Sequence, residues 1–83
     1  MSGAINIFKG LSNQTRVNIV KMLLSGERCV CEITPHVKKN QSTVSIHLKK
    51  LKTLGLLKSR KEGRLVYYSI SNQKVKRALK LLE

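Results

Sequence analysis

Apolar positions recur along the chain with two different periods, and the switch between them organises it. Ile5, Phe8 and Leu11 fall at helical spacing with Ala4 and Ile7 beside them, which predicts a short helix over Ala4 to Leu11. Asn13 then stands where a side-chain oxygen can accept from a free N–H of a second helix. That helix runs to about Leu24, carries Val17, Val20 and Leu24 on one face with Ile19 and Leu23 alongside, and ends at Gly26. A third, short helix holds the only proline, Pro35. Proline lacks an N–H and is harmless only in the first helical turn, so this helix, placed over Cys31 to Val37, is expected to begin near Glu32 with Cys31 at its cap rather than at Val30, or to be distorted. "KKNQ" reads as a turn. The clearest helix follows, Gln41 to Leu54, with Val44, Leu48 and Leu51 in one narrow apolar stripe and Gly55 as its stop.

Beyond Gly55 the period changes. "LLKSR" and "LVYYSI" flank "KEG", a hairpin signal in which Gly63 is free to take positive φ. Val66, Tyr68 and Ile70 alternate onto the core face, and Tyr67 and Ser69 point away. From Asn72 to Glu83 the helical stripe returns at Val75, Ala78, Leu79 and Leu82. Residues 1–83 thus read as one domain, mainly α with a β-hairpin wing, in the order helix, helix, helix, helix, strand, strand, helix.

Charge sharpens this outline. Seventeen Lys and Arg face four acidic residues, a formal net charge of +13. Such a balance points to nucleic acid. An anionic membrane surface is the competing partner, but it calls for a long apolar run or a basic amphipathic anchor, and neither is present. The N-terminus lacks the features of a signal peptide, so a soluble, cytoplasmic protein is expected. A chain of 83 residues buries only about 60% of its unfolded surface, and two cysteines this close build no disulfide framework, so help from a partner subunit is plausible.

On the Gln41–Leu54 helix, Ser42, Ser45, Ile46 and Lys49 lie opposite the apolar stripe, with Gln41 leading. This small, donor-rich face suits a major groove: Gln pairs with adenine, Ser donates or accepts, Lys neutralises phosphate. An ordinary solvated helix face would look the same in isolation. Preceded by a short helix and a tight turn, it becomes a helix-turn-helix candidate. Lys58, Arg60, Lys61 and Arg64 cluster on the hairpin, as a phosphate-contacting wing would.

These stretches, "LSNQTRVNIVKMLLSGERCVCEI" and "QSTVSIHLKKLKTLGLLKSRKEGRLVYYSI", resemble the ArsR/SmtB winged-helix repressors from about Phe8 to Ile70. The combination of "VSIHL", "GLL" and "EGRLVYYSI" is specific. The resemblance implies a homodimer built from the first and last helices, and hence through Ile5, Phe8, Leu11, Val75, Leu79 and Leu82. It implies binding of a double-stranded operator through Gln41, Ser42, Ser45 and His47, and repression relieved by a metal or redox signal. Family members commonly carry a basic or polar residue where Ile46 stands; an apolar side chain there could meet a thymine methyl. His47 borders the apolar stripe, where it could equally pack between helices; the resemblance favours phosphate contact. The expected DNA-facing set is therefore Gln41, Ser42, Thr43, Ser45, Ile46, His47, Lys49, Arg60, Lys61 and Arg64.

Cys29 and Cys31 are the remaining chemistry. The arsenic-sensing branch of the family places a third cysteine where Thr34 stands here, and the cadmium- and lead-sensing branch draws further cysteines from an N-terminal arm, which has none in this chain. The terminal-helix zinc site of other members needs His and acidic ligands, and only Glu83 is offered. On one helix the two cysteines would point about 200° apart, so they converge only if their segment is extended. We expect no complete metal site and no cofactor, and keep open a two-thiolate sensor of soft metal, organoarsenical or oxidant, completed by a solvent or partner ligand. The protein is expected to be a transcriptional regulator and not an enzyme. A sequence-blind architectural DNA binder is the main rival, and a thiol oxidoreductase a weaker one, since no activating network for the pair is evident.

Overall fold

The computed structural model describes residues 2–82. Helix α1 (Ser2–Gly10) ends where the chain must pass close to the core: a Cβ on Gly10 would lie 2.6 Å from Leu56 Cδ2. The Arg16 guanidinium caps that end, donating to the carbonyls of Gly10 at 2.9 Å and Lys9 at 3.1 Å. Helix α2 (Gln14–Met22) starts as its sequence predicts, with Asn13 Oδ1 accepting from the Arg16 backbone N–H. It tightens into a 3₁₀ turn over Leu23–Ser25 before Gly26 turns the chain at a φ of 132°.

A strand that the sequence pattern does not announce comes next. Strand β1 (Arg28–Cys29) pairs antiparallel with β3 (Leu65–Ile70), and β3 pairs with β2 (Leu57–Glu62), giving the sheet order β1-β3-β2. Two residues are too few to show a period of two; only the edge of β3 makes them a strand. Helix α3 (Val30–Val37) then begins earlier than expected, and Cys29, not Cys31, is its cap. The expectation gave too much weight to Pro35, which does sit inside the helix. The start at Val30 is fixed by a capping box: the Cys29 N–H donates to Glu32 Oε1 at 3.0 Å, and the Cys31 N–H meets Cys29 Sγ at 3.1 Å. The carbonyl orphaned by Pro35 belongs to Cys31, and both residues are exposed, so water can serve it.

Lys38, in the left-handed region at φ 57°, turns the chain into α4 (Gln41–Thr53), whose cap Asn40 accepts from the Thr43 N–H at 2.8 Å. α4 closes in a Schellman motif: the Leu56 N–H reaches the Leu51 carbonyl, the Gly55 N–H that of Lys52, and Gly55 takes φ 88°. The hairpin turns at Gly63, with a φ of 62°. Asn72 caps α5 (Gln73–Lys80).

One core unites these pieces: Ile19, Val20 and Leu23, Ile33 of α3, the α4 stripe Val44, Leu48 and Leu51, then Leu56, Leu57, Tyr68, Val75 and Leu79. Burying the α4 stripe, at roughly 1.5–3 kcal/mol per side chain, fixes the rotation of α4 about its axis and so decides which residues face out. Three of the six residues of the expected dimer seam lie in the protomer core instead. Leu11, Val75 and Leu79 are buried inside the protomer, at 8%, 0% and 0% exposure, and have no surface to offer a partner. A stripe that reads as unpartnered along one helix is covered by the chain's own other elements. Of the six residues, Ile5, Phe8 and Leu82 are exposed, and Leu81 is exposed beside Leu82.

Candidate nucleic-acid interface

Because α4 buries Val44, Leu48 and Leu51, its opposite face is free. Gln41, Ser42, Ile46 and Lys49 are exposed there, and Thr43 and Ser45 are half-buried. Ile46 stands 67% exposed, a large apolar side chain turned to solvent. Beside this face the wing brings Arg64 forward. Gln41, Ser45 and Lys49 of α4 and Arg64, Leu65 and Val66 of the hairpin line one open cleft of about 530 Å³. Cys29, Cys31, Thr34 and Pro35 form its third wall. The cleft therefore joins an amide, a hydroxyl, two cations and both sulfurs. Lys52 Nζ donates to Ser59 Oγ at 2.8 Å and ties α4 to β2, which holds the wing against the helix.

Ser42, Ile46, His47, Arg60 and Lys61 lie outside that cleft. His47 is half-buried, and its Nδ1 is enclosed without a hydrogen-bond partner. Burial, and secondarily the cations Arg16 and Lys39, lower its pKa and favour the neutral ring. Arg60 is not a free cation. Its Nε and Nη2 fork onto Glu27 at 2.8 and 2.7 Å, its Nη1 meets Glu62, and its guanidinium lies over the Tyr67 ring at 4.6 Å. The fork holds Glu27 below the usual carboxylate range and raises the pKa of Arg60. Lys61 and Arg64, nearer the turn, are exposed. Sequence reasoning missed the part of Glu27. The available signal was its rarity, one of four acids in a chain of charge +13.

Cys29 is extended (ψ 148°) and buried, and Cys31 is the exposed second residue of α3. The kink between strand and helix turns their sulfurs together, and they are joined as a disulfide across a Cα–Cα distance of 5.1 Å. Among the described residues no group of three or more His, Cys, Asp or Glu side chains could hold a metal ion.

A helix that presents Gln41, Ser42, Ser45 and Lys49 on its outer face, preceded by a short helix and flanked by a basic hairpin, defines a winged helix-turn-helix DNA-binding protein. The description "Bacterial regulatory protein, arsR family" matches residues 13–59, and the chain belongs to that family. It is 49% identical over 71 residues to the cadmium resistance transcriptional regulatory protein CadC homolog of Staphylococcus aureus, a match covering 84% of this chain but 59% of that protein. Among solved structures, HlyU of Vibrio cholerae superposes with a TM-score of 0.90 at 36% identity, covering 96% of this chain and 87% of that one. The homodimeric winged helix-turn-helix DNA-binding domain Mb0332 of Mycobacterium bovis gives 0.85 at 35% identity, over 96% and 74%. No helix among the described residues is long and apolar enough to cross a membrane.

Proposed function

We propose that the chain is a transcriptional repressor that binds a palindromic operator as a homodimer. Gln41, Ser42 and Ser45 read base edges, and Ile46 meets a thymine methyl. Lys49, Lys61 and Arg64 neutralise phosphates, and Thr43 supports the start of the reading helix. The observation that carries this is the cleft in which Gln41, Ser45, Lys49 and Arg64 converge from α4 and the wing. The homodimeric neighbour supports the assembly, and the exposed Ile5 and Phe8 offer it a face.

The same cleft carries the sulfurs, and the operator is released by chemistry at them. The cadmium association belongs to the Staphylococcus aureus relative, and the chemistry proposed for this chain is that of its own paired sulfurs. The signal read is oxidation. Two thiols give up two protons and two electrons to a hydroperoxide, which leaves as water and an alcohol, and the disulfide remains.

Selection from random duplexes followed by fluorescence polarisation tests both halves. Reduced protein should prefer the recovered sequence over scrambled DNA by about 10³-fold or more at fixed salt. Gln41→Ala or Ser45→Ala should erode that preference by about 1–3 kcal/mol. Equal affinity for all duplexes would make this a sequence-blind architectural protein. Equal operator affinity of the reduced and disulfide forms would remove the sensor and leave the reader.

A further inference from the structure

Glu27 and Arg60 come from opposite edges of the sheet and meet across its middle strand. Glu27 directly precedes β1, Arg60 lies in β2, and between them Tyr67 of β3 stands in register with Cys29 on one side and Arg60 on the other. The guanidinium lies on the Tyr67 ring and sends its parallel Nε–H and Nη2–H into the Glu27 carboxylate. Its remaining edge meets Glu62. We propose that Arg60 is a wing-positioning residue, locked to Glu27 over Tyr67, and not one of the cations that contact the DNA backbone.

This rests on the DNA-binding reading and refines the roles assigned within it. A phosphate approaching Arg60 would meet two carboxylates already within hydrogen-bond distance of the guanidinium, so the local charge opposes it. An exposed ion pair contributes little stability. A planar fork that is also stacked on an aromatic ring nonetheless fixes orientation, which a point charge would not. Arg60 sits at the stem of the hairpin, three residues before the Gly63 turn. Holding the stem aims what lies beyond it, and that includes Arg64 on the wall of the cleft opposite Lys49. In a chain with so few acids, placing two of them on one arginine of the wing reduces its cationic strength there and gains geometry.

The test is equilibrium binding of the intact protein to a fluorescent mixed-sequence duplex over a salt series, with thermal melting as a folding control. Glu27→Gln and Arg60→Gln should each weaken binding, roughly 2- to 30-fold, the range spanned by residues that tune a site without touching its ligand. The double variant should be no worse than either alone. The slope of log affinity against log salt should stay at the wild-type value in all three, whereas Arg64→Gln should lower it by about one unit. Arg60→Lys, which keeps the charge and loses the fork, should behave like Arg60→Gln. A direct phosphate contact predicts the opposite pattern: a lower slope for Arg60→Gln, recovery in Arg60→Lys, and tighter binding by Glu27→Gln, which removes a repelling anion. That outcome overturns the proposal while leaving the DNA-binding reading intact. Failure of the wild-type protein to bind the duplex would overturn both.

Discussion

His47 is the residue where position and protonation are tied together. Its ring is half-buried with Nδ1 enclosed and unpartnered, and burial lowers its pKa, with Arg16 and Lys39 adding to the effect. The unfolded chain keeps an ordinary value near 6.5, so just below that pH it binds more protons than the folded one. Stability is then fully present above the unfolded pKa and falls as the pH drops toward the lowered folded value. The melting temperature should therefore decline on acidification from about pH 7.5 to 5.5. A His47→Gln variant should show a shallower decline, with the exposed His36 common to both proteins. Parallel melting profiles would mean that the ring gains solvent on protonation. The expected phosphate contact of His47 has a geometric condition attached: the ring must present a nitrogen to solvent, and the enclosed one is Nδ1.

At the scale of the elements, the segment between α3 and α4 is the least comfortable. Lys38 takes a left-handed backbone at φ 57° and ψ 38°, a region that costs an ordinary residue roughly 1–2 kcal/mol. Lys38→Gly should recover part of this, about 0.5–1 kcal/mol after the added freedom of the unfolded chain is subtracted. The melting midpoint should rise by a few degrees, and an unchanged or lower midpoint would show that the Lys38 side chain makes a contact worth as much. That turn was legible as a turn, and α4 was legible in full, because a stripe at i, i+4 and i+7 and a stopping glycine are local signals. The hairpin was legible for the same reason. β1 was not, since a two-residue strand has no pattern of its own and exists only where Tyr67 and Tyr68 pair with it. The start of α3 was not legible because a single proline suggested a rule, whereas the bonds from the Cys29 N–H to Glu32 and from the Cys31 N–H to Cys29 Sγ decide the matter. The contact of Glu27 with Arg60 spans 33 residues, and nothing local encodes it.

For the whole molecule, the burial of Leu79 separates folding from assembly. Leu79→Glu places a charge in the core and should unfold the protomer, at a cost of roughly 4 kcal/mol or more, a large part of what so small a domain possesses. Phe8, 63% exposed on α1, is the better probe of the proposed seam. Phe8→Glu should leave the circular dichroism of the folded chain in place and shift sedimentation at micromolar concentration from dimer to monomer. A dimer that persists would move the seam away from the outer face of α1. The scarcity of acids bears on the same equilibrium. Two subunits, each with a formal charge of +13, must approach until exposed apolar side chains meet, and within about 8 Å at physiological salt their fields are barely screened. In the proposed assembly, DNA is then more than the object being read. As a polyanion it would relieve this repulsion, so assembly and DNA binding would be thermodynamically linked, each strengthening the other by the same factor.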